Sequence, residues 1–251
     1  MPQPRVQSLD RALDLLEALA DAGELGVSEI AARTGLVPST AHRLLGTLVA
    51  RGYASQNPAT GRYRLGYKLL ELTGGVQDRL ARLTAAAKPH LEAIQARTGE
   101  TTNLVVLEGR DVVYIESVSG TRSVRLHTEV GRSIPAHTSG AGKALLAWRD
   151  PVDVAALLDG APLAPSTPHT LTTLDALQGD LAKIRKRGYA TDDEEHELGV
   201  TCVATPILDD AGVPLAAISV SGPAPRMTDA GGLAALLREH AEQVAKELLG
   251  R

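Results

Sequence analysis

The sequence predicts an α+β chain in two parts. The first is helical and closed by a small basic hairpin. The second, larger part sets antiparallel strands among helices. Three observations carry this. Residues 8–50 show only helical periodicity, with apolar residues recurring every three or four positions. From Thr101 the period changes to that of strands. Turn-forming residues punctuate the strand runs, at "NPATG", Gly109–Arg110 and Asp209–Gly212.

Ser8 can cap the first helix, "LDRALDLLEALADAG", by accepting a hydrogen bond from its free amides. Leu9, Ala12, Leu13, Leu16 and either Leu19 or Ala20 form its apolar stripe, and Gly23 and Gly26 interrupt it. Ser28 then caps a short helix, "EIAARTG", with Ile30 and Ala31 facing inward. Gly35 suits the left-handed conformation that ends a helix. Pro38 suits the first turn of the next one, where its missing amide costs nothing. In that third helix Ala41, Leu44, Leu45 and Leu48 share a face. Ser39, Arg43, Gly46 and Ala50 lie opposite, flanked by His42 and Thr47. Glycine in a helix interior costs ~1 kcal/mol against alanine. Gly46 is therefore either tolerated or useful for close approach to another surface.

Tyr53–Gln56 and Arg62–Leu65 read as strands around "NPATG". Arg62 and Arg64 fall on one side, Tyr63 and Leu65 on the other. Helix, short helix, tight turn, helix, basic hairpin is the order of a winged helix-turn-helix. Its third helix can lie in a major groove, and its hairpin can reach phosphates or the minor groove. Charge agrees with that reading. The protein carries a net charge of -4, yet Ile30 to Lys68 holds no Asp or Glu and contains Arg33, Arg43, Arg51, Arg62, Arg64 and Lys68. A basic segment in an acidic protein marks one surface.

The single cysteine, Cys202, excludes an internal disulfide framework and a cysteine-rich metal site. No apolar run reaches the ~18 residues of a membrane span. The opening "MPQPRVQSLDR" lacks the apolar stretch of a secretory signal. A soluble cytoplasmic protein with no membrane partner is expected. With no phenylalanine, its cores must be aliphatic.

"GYKLLELTGGVQDRLARLTAAAKPHLEAIQARTG" reads as helix with a break at Gly74–Gly75, and Pro89 is expected to bend or end its second half. Leu69, Leu70 and Leu72 are too apolar for a free linker. "TTNLVVLEG", "DVVYIESVSG" and "SVRLHTEVG" follow as three strands. Thr138 or Ser139 can cap a helix running through Lys143 to Trp148. Gly140 and Gly142 leave its first turn bare, which suits either an anionic group or a tightly packed helix start. The spacing is not that of a phosphate-binding P-loop. Residues 151–188 add two helices, with Thr170 as a cap for the second. Strands then surround the Asp209–Gly212 hairpin, and Asp229 begins the closing helix. Strands flanked by helices make an α+β domain on a curved antiparallel sheet. Ser219 and Ser221 share a strand face, and their hydroxyls can hold a carboxylate or a hydroxyl.

"VQSLDRALDLLEAL", "VSEIAARTGLVPSTAHRLLGTLVARGY" and "YRLGYKLLEL" resemble the N-terminal domain of the IclR family of bacterial transcription regulators. "GYATDDEEHELGVTCVATPI" and "AAISVSGPA" resemble its effector domain, so the likeness covers nearly the whole chain. The resemblance implies a winged helix-turn-helix domain over residues 1–68, a connector helix over 69–82 and a GAF-like effector-binding domain over 83–251. It implies Ser39, Thr40, His42, Arg43 and Thr47 in the groove, with Arg62 and Arg64 on the wing. It places effector-binding residues at Asp192, Cys202, Ser219 and Ser221, beside the turn of Ser139, Gly140, Ala141 and Gly142.

The implied partners are a palindromic or pseudo-palindromic double-stranded DNA operator, a small organic acid and further copies of the chain. Those copies make a dimer or a dimer of dimers. Repression of a catabolic or metabolic operon is the expected output, and activation is the alternative within the family. No cofactor is implied. Two enzyme readings compete: a Cys202 nucleophile with a histidine, and Ser139 with Lys143. Nothing in the sequence brings either pair together, and no catalytic residue is assigned. The "DDEEHE" run is expected to be a solvated acidic turn, because consecutive residues do not share a face. His196 or Asp192 would be the metal candidates there, and no metal site is assigned.

Overall fold

The computed structural model describes residues 6–159 and 162–250. The chain forms two compact units, Met1–Arg79 and Leu80–Arg251.

In the first unit, helix α1 (Gln7–Ala22) precedes a short strand β1 (Glu24–Leu25), helix α2 (Val27–Thr34) and helix α3 (Pro38–Ala50). Strands β2 (Ala54–Gln56) and β3 (Tyr63–Leu65) follow. Leu15, Leu19, Leu25, Ile30, Ala41, Leu45, Leu48 and Tyr63 pack into one core. Gly35 has φ 65° and ends α2, and Pro38 opens α3, as the sequence predicts. Three local expectations fail. Helix α1 starts on Val6 with no side-chain cap, so Ser8 lies inside its first turn. Its buried residues are Leu15 and Leu19, while Leu9 and Leu13 stay exposed. The Ser28 cap is likewise replaced: α2 begins after Gly26, whose amide donates to the Glu29 carboxylate at 2.6 Å. The hairpin also gains a third strand. β1 pairs with β3, giving the order β1-β3-β2. Two residues are too few to show a strand period.

Helix α4 (Lys68–Thr98) is continuous through Gly74–Gly75, so the expected break there does not occur, and Pro89 does not end it. Each glycine costs ~1 kcal/mol in a helix. The good helix formers on both sides outweigh that cost. Ala87, Leu91 and Ile94, which flank the proline, are anchored in a core of the second unit.

The second unit is one antiparallel sheet of order β6-β5-β4-β9-β8-β7. Its strands are β4 (Thr101–Glu108), β5 (Asp111–Val118), β6 (Ser133–Pro135), β7 (Ala190–Asp193), β8 (Val200–Leu208) and β9 (Pro214–Pro223). One face carries Leu104, Val203, Ile218 and Val220 against α4 and the closing helix α8 (Ala230–Leu249). The other face carries Val105, Ala204 and Ala217 against α5 (Gly140–Ala147), α6 (Pro151–Leu158) and α7 (Leu174–Arg187). The expected strand "SVRLHTEVG" does not form, and the third strand of the chain segment is β6. Val124 and Val130 are exposed, so this stretch has no apolar face to bury. Side chains hold it instead: Thr101 Oγ1 donates to the Leu126 carbonyl at 2.7 Å and Arg226 to that of Val124 at 2.8 Å. Thr173, not Thr170, caps α7. Asp229 caps α8 as expected.

Candidate functional site

In the first unit the α3 helix is held by its buried face, and its other face is free. Ser39, His42, Arg43 and Thr47 are exposed, and Thr40 is half-buried. Ser39, His42 and Arg43 make no side-chain hydrogen bond or ion pair among the described residues. A Cβ added at Gly46 would meet no atom within 4 Å. The glycine is therefore not required by this chain's own packing. Arg51, at the end of α3, is also exposed. It belonged to the basic span, but nothing in the sequence distinguished it from a surface charge.

The two hairpin arginines differ. Arg62 turns back onto its own unit, donating to Glu29 at 2.7 Å and to the Glu24 carbonyl at 3.0 Å. The Gly26 amide and then the charges of Arg62 and Arg33 hold the Glu29 carboxyl below its usual range. Arg64 is exposed and makes one neutral bond, to Ser55 at 3.1 Å. Among the described residues Arg43, Arg51 and Arg64 are in no ion pair, whereas Arg62 is committed to one.

In the second unit the sheet register assembles the predicted effector residues. Asp192, Cys202, Ser221 and Thr101 stand opposite one another across β7, β8, β9 and β4. The next row on the same face is Ala190, Ala204, Ser219, Asn103 and Ser117. Such cross-strand neighbours lie ~5 Å apart. The start of α5 sits on this face. A Cβ at Gly140 would lie 3.2 Å from both the Asp192 amide and the Cys202 sulfur. One at Gly142 would overlap the Ala136 backbone. Close approach, rather than a bare turn, is what these glycines provide. Ser139 Oγ caps the helix by accepting from the Gly142 amide at 2.9 Å. Ser139, Gly140, Ala141, Gly142, Asp192, Cys202, Ser219 and Ser221 are all buried together. Asn103, also buried, was missed because a lone asparagine in an apolar strand carries no motif.

Burial sets the chemistry here. It pushes the Asp192 carboxyl up to about 7, helped by the Glu195 charge and opposed by the Glu195 and His196 amides. Burial, then the Asp192 charge, pushes the Cys202 thiol up to about 12. A thiol held protonated is a poor nucleophile. Lys143 is 1% exposed, and its ammonium bonds Glu195 at 2.5 Å and Asp180 at 3.0 Å. It is a paired cation and not a base for Ser139. The "DDEEHE" run is accordingly only partly solvated, with Asp193 and Glu197 exposed. Asp192 and Glu195 are buried, Thr170 Oγ1 donates to the Glu195 carbonyl at 2.6 Å, and Glu194 turns with φ 59°. Among the described residues no three His, Cys, Asp or Glu side chains converge as a metal site.

Sequence and structure comparisons agree with this geometry. Residues 8–58 match the IclR helix-turn-helix domain, and residues 79–246 match the bacterial transcriptional regulator IclR C-terminal domain. The chain belongs to the IclR family of bacterial transcriptional regulators. It is 40% identical over 232 residues to the HTH-type transcriptional regulator XynR of Escherichia coli, covering 90% of each chain. It is also 40% identical over 229 residues to the transcriptional repressor IclR of Escherichia coli, covering 90% of this chain and 83% of that one. Among solved structures, IclR of Thermotoga maritima superposes with a TM-score of 0.74 at 34% identity, over 97% of this chain and 99% of that one. An IclR homolog complexed with 4-hydroxybenzoate, from Microbacterium hydrocarbonoxydans, gives 0.77 at 31% identity, over 97% and 100%. The chain is a DNA-binding transcriptional regulator, and not an enzyme. No helix among the described residues is long and apolar enough to cross a membrane.

Proposed function

We propose that this protein is a repressor of a catabolic or metabolic operon, released or engaged by a small carboxylic acid bound in the second unit. The observation that carries the proposal is the buried row of Asp192, Cys202 and Ser221, with Ser219 beside it, under the start of α5. A few convergent polar groups in an aliphatic setting suit a small acid. The repressor name of the Escherichia coli relative and the 4-hydroxybenzoate in the solved homolog support both halves of the reading.

The DNA contacts are assigned to Ser39, Thr40, His42, Arg43 and Thr47 in a major groove, with Arg64 on the backbone. Arg62 contributes only if its pair with Glu29 opens. The chain acts in the cytoplasm as a dimer or dimer of dimers on a palindromic or pseudo-palindromic site. Exposed Leu9 and Leu13 on α1 with Val6 just before it, and exposed Leu70, Leu72 and Val76 on α4, supply apolar surface for such pairing. Residues 1–68, 69–82 and 83–251 serve as reader, connector and effector domain. The effector shifts the balance between arrangements of the readers only by binding one of them better.

The test is a DNA-binding titration of the purified protein at several salt concentrations, with and without candidate acids. Affinity should fall steeply with salt and change on adding an acid. Salt-independent binding, or a response to acids that survives Ser221→Ala, would count against the proposal.

A further inference from the structure

We infer that Asn103 is a specificity-determining residue of the effector site, selecting a carboxylic acid that carries a second oxygen acceptor. The inference rests on the effector reading above. Asn103 is 1% exposed, on the sheet face that lies beneath α5. Its carbonyl oxygen accepts from Ser117 Oγ at 2.9 Å, which orients the amide. Its Nδ2 is buried with no hydrogen-bond partner. An amide cannot ionise or titrate away that cost, and buried donors are nearly always paired.

The register shows what the donor faces. Asn103 stands opposite Ser219, two pairs along from Ser221 opposite Thr101 and on the same face. Thr101 is already occupied, donating to the Leu126 carbonyl. Ser221 stands opposite Cys202, and Ser219 follows it on the same strand face. A carboxylate taken by the Ser219 and Ser221 hydroxyls leaves the rest of the ligand over Asn103. Nδ2 only donates, so it selects a carbonyl, hydroxyl or ether oxygen there. A plain alkyl or aryl acid would leave it unpaired, and sites with an orphaned polar group discriminate strongly against such analogues.

The experiment is isothermal titration of the full chain with matched acids: propionate against lactate and pyruvate, and benzoate against 3-hydroxybenzoate and 4-hydroxybenzoate. The wild-type protein should bind one oxygenated acid at least about tenfold tighter than its plain parent. Asn103→Leu should bring that ratio to within about twofold. Asn103→Ala, checked for a cooperative melt, repeats the measurement in case leucine does not fit. Ser221→Ala should weaken both members of a pair and keep the ratio. A ratio unchanged in both Asn103 variants, or absent in wild type, overturns the inference and leaves the effector reading intact if Ser221→Ala weakens binding. Failure of every acid to bind, or binding indifferent to Ser221→Ala, overturns the effector reading and this inference with it.

Discussion

The free face of α3 and the buried face beneath α5 are built on opposite principles. On α3 Ser39, His42, Arg43 and Thr47 are exposed, and Arg43 has no side-chain partner among the described residues. Beneath α5 Asp192, Cys202, Ser219, Ser221 and Asn103 are buried, and burial governs the ionisation of Asp192 and Cys202. The first arrangement suits a long, charged partner that brings its own counter-charges. The second suits a small molecule that must replace water completely. Changes on the exposed face should therefore alter function with little effect on stability. Changes on the buried face should alter both.

The largest expected effect is at Lys143. Lys143→Met strands Glu195 and Asp180 without their cation, and breaking a buried pair from one side costs ~3–5 kcal/mol. Urea unfolding measures it. A loss below about 1 kcal/mol would mean that this ion cluster is effectively solvated.

Asp192 comes next and is read through pH. Its carboxyl is raised from 3.8 to about 7 in the folded protein. The folded state therefore holds the proton more tightly than the unfolded state between those values. Its contribution to stability is full at low pH and is lost as pH rises toward 7, levelling off above. Asp192→Asn should remove this dependence and gain up to a few kcal/mol over wild type near neutrality. Acid effectors should also bind wild type more weakly above pH 7, and the variant should not show this. Parallel pH–stability curves for the two proteins would refute the raised carboxyl.

Arg43→Ala should leave the melting temperature unchanged within error while costing ~1–3 kcal/mol of discrimination between operator and mutated operator. Uniform weakening on every DNA sequence would reassign Arg43 to the phosphates. The smallest effect sharpens the comparison most. Gly46→Ala meets open space, so it should stabilise the unit by up to ~1 kcal/mol. If the face must approach DNA closely, the same change weakens operator binding. Stabilisation with unaltered DNA affinity would make Gly46 a tolerated residue without purpose.

Legibility followed the same divide. The exposed face of α3 could be read from spacing, because a helix places residues three and four apart on one side whatever surrounds it. Gly35 and Pro38 marked the turn correctly, since their backbone preferences are local. The α1 stripe was misplaced, because leucines at positions 9, 13, 15, 16 and 19 offer two overlapping faces and only packing chooses. Ser8 and Ser28 resembled caps, yet Val6 and Gly26 hold those positions. The pairing of Arg62 with Glu29 joins residues thirty-three apart. The pairing of Lys143 with the buried Glu195 joins residues fifty-two apart. No local pattern records either.

The sequence by itself determined the helix-turn-helix order, the acid-free basic span and the alternating strands of the second unit. Each depends on backbone preference or periodicity, and both are properties of neighbouring residues. It also determined the family, through long motifs spread over the chain. Only the tertiary structure decided which arginine is free and where Asp192, Cys202 and Ser221 meet. Only it showed that Gly140 lies against Asp192 and Cys202 and Gly142 against the Ala136 backbone, and that Asn103 keeps an unpaired donor. Those outcomes depend on burial and strand register, which the whole fold sets at once.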